Sequence, residues 1–393
     1  MQSVPLSIVG ASAAGLAAAW YLARQGVPAL VYEAQAPYQP AERTLIVTPA
    51  FLRLLDFDPR EAILYRVRGY ELISRGASAC IPLREPDIVL DRARFLHLLV
   101  HRVKEAGGEV FFGHRLMDIR TDRVPYILRF ATGENRERWV VAWRFLGADG
   151  LSGQVSRIAQ ADGLEEVALC QARVLLPGDL PPDTVRVWFD RATTRFFYWL
   201  IPESPHTGAA GLVAKTPGEA RRLLEEFLRA QGLEPLAWQE GQAPLFPLSF
   251  GRAPMGDGRI LLAGDAAGQV KGTTVGGLVA GMRGGLAAAR SLAAGTFYDA
   301  ESRLLRRELA FHALVRRVLD AFTDEDYDAL LGLLNRRACS VLGRYHRDDL
   351  ARGLGPILLS QPRWLLLGAR ALVRGLRGPG NRSPETSRRE GAV

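Results

Sequence analysis

The stretch from Arg259 to Ala289 restricts the fold more than any other: Arg-Ile-Leu-Leu-Ala-Gly-Asp-Ala-Ala-Gly-Gln-Val-Lys-Gly-Thr-Thr-Val-Gly-Gly-Leu-Val-Ala-Gly-Met-Arg-Gly-Gly-Leu-Ala-Ala-Ala. Ile260 to Ala263 is a short apolar run of buried-strand type. Gly264-Asp265 ends that strand, a glycine-rich loop follows, and Val275 to Ala294 predicts a helix of small residues. Small residues let a backbone come close to a flat ligand. The free N–H groups at the start of a helix suit a phosphate or a polarised oxygen.

Two other stretches point the same way. Leu6–Val9 predicts a buried strand, Ala13–Arg24 a helix and Pro28–Tyr32 a parallel strand, the first unit of a doubly wound sheet. Gly10 makes the tight turn, Ala14 stands in the first helical turn, and Gly15 lets the helix pack on the strand. Ser12 occupies the place of the usual middle glycine. The helix start should face a pyrophosphate, and Glu33, closing the second strand, is placed to accept hydrogen bonds from an adenosine ribose. In mid-chain, Arg144–Ala148 reads as a strand ending in Asp149-Gly150.

In this order the three stretches resemble the flavin-binding triplet of the para-hydroxybenzoate hydroxylase superfamily. Gly264-Asp-Ala-Ala-Gly-Gln-Val-Lys-Gly-Thr-Thr-Val-Gly-Gly is most similar to the geranylgeranyl reductase family. The resemblance covers roughly residues 4 to 295 and implies FAD. It places Gly276 and Gly277 against the flavin ring, with Leu278 opening the helix that faces its O2 edge, and Gly264 and Asp265 in the same site. It carries a phosphate or ribityl contact to Arg92, in Asp91-Arg92-Ala-Arg-Phe95, and an adenine clamp to Leu116. Arg43-Thr44 falls where the family has a cysteine-containing segment over the flavin; Thr44 stands in the matching place, and Arg43 is within reach of the cofactor or else a solvated loop arginine. Gly272 stands where the family usually has proline. Phe197-Tyr-Trp199-Leu-Ile201-Pro202 resembles an aromatic phrase of the same family, and also the end of a flavin halogenase motif. In a strand Phe197, Trp199 and Ile201 share one face, either lining a substrate or forming ordinary sheet core.

The fold expected is α/β: a doubly wound, Rossmann-type FAD domain (1–65, 91–164 and 251–298), an interleaved antiparallel sheet that binds substrate (66–90 and 165–250), a helical C-terminal region (299–377) and a disordered tail (378–393). Thr48-Pro49 predicts a helix start with Thr48 as N-cap; Asp91 and Thr216 are N-caps as well. Glu301–Phe322, Asp326–Leu342 and Arg347–Leu359 carry apolar faces at helical spacing.

The chain has 393 residues, 48% hydrophobic and 23% charged, with a net charge of +8. That length allows two domains with large cores. The positive charge is almost all arginine spread along the chain, which marks no single face for nucleic acid, and none is expected as a partner. Cys80, Cys170 and Cys339 have no metal-ligand spacing, and no metal is expected; a reducing, cytoplasmic setting fits. Val4 to Ala23 is free of charge, but its centre is the dinucleotide turn rather than a signal peptide or membrane span. A helix from about Gln361 to Arg377 puts Arg363, Arg370, Arg374 and Arg377 on one face and Leu365, Ala369, Leu372 and Leu376 on the other. It suits either peripheral contact with the inner face of a membrane or packing on its own domain.

A single dinucleotide fingerprint implies an electron donor that visits: NAD(P)H or a small redox protein. The resemblance implies a reductase that saturates double bonds in a lipophilic prenyl chain. A monooxygenase or halogenase, the latter needing a catalytic lysine such as Lys104 or Lys271, and a non-catalytic flavin-binding protein are the alternatives. Tyr198 and His206 lie near the aromatic phrase, but nothing beyond proximity makes either the proton donor.

Overall fold

A computed structural model describes residues 2–133, 136–158, 165–239, 245–247, 258–345, 347–348 and 350–376. The tail expected at 378–393, and Arg377, lie outside them. In chain order the elements begin β1 (Gln2–Val9), α1 (Ala13–Arg24), β2 (Leu30–Tyr32), β3 (Thr44–Val47), β4 (Ile63–Ile73), β5 (Ser78–Asp91), α2 (Arg92–Glu105), β6 (Glu109–Phe111), β7 (Arg115–Arg120), β8 (Tyr126–Thr132) and β9 (Arg136–Gly147). Then come α3 (Gln154–Ile158), β10 (Glu166–Leu175), β11 (Thr184–Trp188), β12 (Tyr198–Pro202), β13 (Thr207–Ala214), α4 (Pro217–Ala230), β14 (Pro235–Gln239), β15 (Leu245–Pro247) and β16 (Ile260–Leu262). The nucleotide-binding layer ends with α5 (Leu278–Ala294), and six helices close the described chain: α6 (Tyr298–Glu301), α7 (Arg303–Asp320), α8 (Asp324–Gly332), α9 (Arg336–Leu342), α10 (Leu350–Ser360) and α11 (Arg363–Leu376).

The first sheet runs β6-β2-β1-β9-β8-β7, with β16 also on β9. β6, β2, β1, β9 and β16 are parallel, as the βαβ reading requires, and β8 and β7 add an antiparallel edge. Both faces of β1 are covered: Leu6 and Ile8 join a core with α1, α2 and α5, while Val4 and Val9 join Phe130 and Phe145. The small residues of α5 serve packing as much as ligand approach. A Cβ added at Gly285 would lie 2.1 Å from the Ala14 carbonyl, and one at Gly15 would lie 2.2 Å from that of Gly10. Only glycine lets α1, α5 and the first turn come this close.

The second sheet runs β14-β10-β13-β12-β11-β4-β5-β3, with β15 also on β10. It is antiparallel except for the β4–β11 pair. β3, from the stretch Arg43–Val47, belongs to this sheet through its pairing with β5. Leu223, Leu224 and Leu228 of α4 cover one face, packing on Tyr198, Leu200 and Leu212. Val67, Val185, Trp199 and Ile201 form the other face.

Several helix boundaries differ from expectation. α5 starts at Leu278, not Val275, because Val275 has φ 52° and cannot continue a right-handed helix. Thr48 leads a short 3-10 helix (Pro49–Leu54) but does not cap it. The helix expected over Asp326–Leu342 is two: Asn335 accepts from Ala338 N at 2.9 Å and starts α9 afresh. Asp91 and Thr216 do cap α2 and α4, accepting from Arg94 N and Glu219 N.

Candidate functional site

A cavity of about 740 Å³ lies between the two sheets and reaches the C-terminal helices. Its floor is backbone. Gly10 to Ala14, Ala148 to Gly150, Gly264-Asp265 and Gly276 to Val279 all line it. Gly10 has φ 99°, and a Cβ there would sit 2.4 Å from the Ala148 carbonyl. Ser12 is the N-cap of α1, its hydroxyl accepting from Gly15 N at 3.3 Å; the missing middle glycine is thus a capping residue. Glu33 accepts from Ala11 N at 2.8 Å and Gln35 N at 2.9 Å, which anchors its carboxylate beside the turn. Tyr38, which sequence reading passed over, donates to the Ala11 carbonyl at 2.6 Å and stacks on Phe112.

The loop from Lys271 to Gly276 closes on itself. Val275 N donates to Lys271 O at 2.8 Å and Lys271 N to Gly276 O at 3.2 Å. The left-handed Val275 is the cost of that closure: a β-branched residue there is strained and is held only by its surroundings. α5 then begins with no side chain capping its first N–H groups. Asp265 is close to Arg43 and Arg92: desolvation pushes its carboxyl up, while the two guanidinium groups pull it the other way. Arg92 also donates to the Ala41 carbonyl at 3.1 Å, steadying the segment that carries Arg43. Arg43 is buried at 9% exposure, so it is no solvated loop arginine.

Thr44 is enclosed by polar side chains from distant strands. Its N–H donates to Gln239 Oε1 at 2.9 Å and its carbonyl accepts from Gln171 Nε2 at 3.1 Å. Its hydroxyl donates to Glu203 and accepts from Gln239 Nε2 at 2.9 Å. Arg173 Nε completes the cluster on Glu203 Oε2 at 2.7 Å. No local signal announces this group, because its members are spread from residue 44 to 239.

The opposite wall is side chain. Phe197, Trp199 and Ile201 all line the cavity, with Val185, Val187 and Leu72; Phe197 lies just before β12, and its ring is 5.9 Å from that of Trp199. The C-terminal helices, which sequence reading left without a part in the site, bring Arg316, Tyr327, Tyr345, Arg347 and Asp348 to it. Lys271 Nζ donates to Asp348 Oδ1 at 2.5 Å, and Thr48 donates to Asp348 Oδ2 at 2.6 Å, which is where the expected capping hydroxyl has gone. Burial alone would raise the Asp348 carboxyl, but Lys271, Thr48 and Arg347 more than offset it and hold it far below the ordinary range. Beside it, Tyr70 donates to Asp87 at 2.6 Å and Arg347 to the same carboxylate at 2.8 Å.

Other expected residues lie elsewhere. Leu116 pairs with Phe130 on the antiparallel edge and does not line the cavity. Tyr198 points to the far face of the second sheet, stacked on Phe227 at 4.4 Å, and His206 is exposed in the β12–β13 turn. Lys104 lies over the Phe112 ring at 5.8 Å.

Residues 8–37 match the family model of the NAD(P)-binding Rossmann-like domain. The chain is 29% identical over 308 residues to digeranylgeranylglycerophospholipid reductase 2 of Methanopyrus kandleri, covering 69% of this chain and 72% of that one. A geranylgeranyl bacteriochlorophyll reductase-like protein from Thermoplasma acidophilum superposes with a TM-score of 0.78 at 16% identity, over 92% of this chain and 97% of that one. The chain is an enzyme similar to the geranylgeranyl reductases, with the fold of the FAD-dependent oxidoreductases. A flavin-dependent brominase, Bmp2, shares the fold at a TM-score of 0.64 and 19% identity, over 90% of this chain and 94% of that one. The cavity of this flavoprotein suits FAD: a glycine turn, an anchored acid at the end of β2, and open space at Gly150, where an added Cβ would meet nothing within 4 Å. Among the described residues no helix is long and apolar enough to cross a membrane.

Proposed function

We propose that this enzyme transfers hydride to carbon–carbon double bonds of a prenyl chain of geranylgeranyl type. The observation that carries the reading is the apolar, aromatic wall of Phe197, Trp199 and Ile201, set across one cavity from the glycine loops. The named reductases among its relatives support it. Gly10, Ser12, Ala14, Gly15 and Glu33 would hold the adenosine diphosphate half of FAD. Arg43, Thr44, Arg92, Gly264, Asp265, Gly276, Gly277 and Leu278 would surround its flavin half.

When bound and reduced, FAD supplies the hydride. An isolated trisubstituted alkene accepts hydride poorly, so a proton must lead or accompany it and build tertiary cation character at carbon. The wall of Phe197 and Trp199 keeps water out and offers π faces to that charge. The electron donor in this reading is NAD(P)H or a small redox protein that visits transiently. Lys271, the lysine nearest the cofactor loop, has its ammonium committed to Asp348, which favours reduction over halogenation.

The test is anaerobic. Flavin in the purified protein is reduced with dithionite and mixed with a geranylgeranyl lipid. Return of the oxidised spectrum together with a saturated product supports the reading. Reoxidation that needs oxygen, with hydroxylated or halogenated product, would transfer the enzyme to the monooxygenase and halogenase class.

We also infer peripheral contact with an anionic membrane through α11. At about 100° per residue this helix divides into three sectors. Leu367 and Ala371 pack on the protein, Arg363 and Arg370 lie on a second sector, and Leu365, Leu366, Leu372 and Val373 are exposed at 55%, 61%, 37% and 46% on the third. Arg374, expected with the basic face, turns back to the Ala321 carbonyl and Asp326. An exposed apolar sector beside arginines is the pattern of an interfacial helix. Because α11 also packs on its own domain, Leu366→Glu with Val373→Glu is a cleaner probe than truncation. The double variant should stay folded and fail to float with anionic liposomes; equal flotation would exclude this helix as the contact.

A further inference from the structure

We infer that Glu308, His312 and Thr273 form a relay that delivers the proton of the reduction; the inference rests on the alkene-reducing reading above. Thr273 stands in the closed Lys271–Gly276 loop and lines the cavity. Its Oγ1 lies 2.6 Å from His312 Nδ1. His312, on α7, is 1% exposed. Its Nε2 is 3.4 Å from Glu308 Oε1, one helical turn earlier. Glu308 is fixed in turn, since Ala351 N reaches its two oxygens at 3.2 and 3.3 Å. An imidazole therefore stands between the hydroxyl of a cavity-lining threonine, which it meets at hydrogen-bond distance, and a buried acid at ion-pair distance with no hydrogen bond made, an arrangement suited to proton transfer by positioned side chains.

The surrounding charges leave this role to His312. Arg316, one turn further along α7, is directed to the Arg195 carbonyl at 3.1 Å and to Asp320 at 2.9 Å. Lys271, two residues before Thr273, is held by Asp348 of the segment leading into α10. The acids that line this wall are held by cations, Asp348 by Lys271 and Asp87 by Arg347. Glu203, bonded to Thr44, also accepts from Arg173 and Gln239, so both of its oxygens are already occupied. The Tyr70 hydroxyl already donates its hydrogen bond to Asp87, and burial holds its proton more tightly still.

In the step, one alkene carbon takes the Thr273 hydroxyl proton through the π electron pair. Thr273 Oγ1 takes the Nδ1 proton of the imidazolium in the same movement. The other carbon would receive hydride, with its electron pair, from the cofactor when that is bound and reduced. One proton and one hydride saturate one double bond. His312 is left neutral, with its Nε2 proton toward Glu308, and is protonated again from solvent before the next turnover.

The experiment uses the full-length, FAD-loaded protein and its His312→Gln, Thr273→Val, Thr273→Ser and Glu308→Gln variants. Circular dichroism and flavin content check that each is folded. In anaerobic single turnovers with a geranylgeranyl lipid, His312→Gln and Thr273→Val should reoxidise on the order of 100-fold more slowly, and Thr273→Ser should recover most of the rate. The wild-type rate should fall as pH rises and His312 loses its proton; Glu308→Gln should bring that fall to lower pH, because the imidazolium has lost its anionic neighbour. A second readout needs no turnover. Nitrogen NMR of oxidised holoprotein, with the His312 signal assigned by its loss in His312→Gln, should show the same titration moving to lower pH in Glu308→Gln. If His312→Gln and Thr273→Val turn over at the wild-type rate with an unchanged pH profile, the relay is wrong while the alkene reading stands. If His312 titration is unmoved by Glu308→Gln, the acid is misassigned and the relay falls. If the wild type itself is not reoxidised by the lipid, the alkene reading falls first and takes the relay with it.

Discussion

The floor and the far wall of the cavity are built differently. The floor is made by backbone: turns at Gly10 and Gly264, the closed Lys271–Gly276 loop, and the starts of α1 and α5. The wall is made by side chains from β4, β11, β12 and the C-terminal helices, held by buried pairs such as Lys271–Asp348 and Arg347–Asp87. Where backbone meets backbone, as at Gly10, the floor tolerates no added atom, yet it needs little chemistry from its side chains. A side-chain site tolerates new atoms only when the partner changes too.

The largest effect should come from breaking the pair that joins the two. Lys271 and Asp348 side chains are 11% and 2% exposed. Asp348→Asn strands a buried ammonium and should cost about 3–5 kcal/mol, whereas Lys271→Met with Asp348→Leu should recover most of that loss. Denaturant titration of the apoprotein across the full mutant cycle measures it. If Asp348→Asn alone is as stable as wild type, the wall is not held by this pair.

On the floor, Gly10→Ala places a Cβ 2.4 Å from the Ala148 carbonyl at a φ of 99°. It should cost roughly 2–3 kcal/mol and release FAD, and no second substitution at Ala148 or Asp149 should rescue it, since the clash is with their backbone. Flavin absorbance per protein and thermal melting test both halves of that expectation. A yellow, stable Gly10→Ala protein would mean that the turn is not as described.

Gly211→Ala probes the wall without touching the floor. Its Cβ would lie 2.5 Å from the Trp199 ring and 2.8 Å from the Cys170 carbonyl. Overpacking of this kind costs about 1–3 kcal/mol. A geranylgeranyl lipid, the substrate proposed above, should bind several-fold more weakly while FAD content stays at the wild-type level, so lipid titration and flavin spectra separate the two surfaces. Parallel loss of flavin and substrate would deny that the wall is a separate unit.

The smallest effect is one of sign. Asp265, on the floor, has a carboxyl raised by desolvation, so its ionised form destabilises the apoprotein above that raised value. Asp265→Asn should therefore raise the apoprotein melting temperature near neutral pH, and the gain should vanish in acid, where wild-type Asp265 is protonated as well. Asp348 is the reverse. Its lowered carboxyl contributes stability that is present above the ordinary aspartate value of 3.8 and lost as pH falls toward the folded value. Melting curves against pH for Asp265→Asn and Asp348→Asn should diverge in opposite directions. Curves of the same sign would refute the electrostatic contrast.

That contrast also explains what could be read in advance. The strand–turn–helix order of the floor, Gly10, Gly15, the acid at the end of β2 and the aromatic face of Trp199 were all legible, since each depends on neighbours within a turn or along a strand. Thr48 shows the limit. Its place before Pro49 reads locally as a helix cap, yet its hydroxyl serves Asp348, 300 residues away in the chain. Val275 shows another: a β-branched residue after two threonines carries no sign of φ 52°, which the loop closure imposes.

The sequence by itself determined the α/β class, the flavin-type floor and the apolar strand facing it. Those follow from periodicity, from glycines that alone permit the turns, and from acids that end strands, all of which are short-range properties of the chain. Only the tertiary structure decided that the C-terminal helices complete the cavity, that Thr44 is enclosed by Gln171, Glu203 and Gln239, and that His312 meets Thr273. Ion pairs and hydrogen bonds between distant segments have no period and no fixed spacing; they exist only where packing withdraws both partners from water and leaves each as the other's available neighbour.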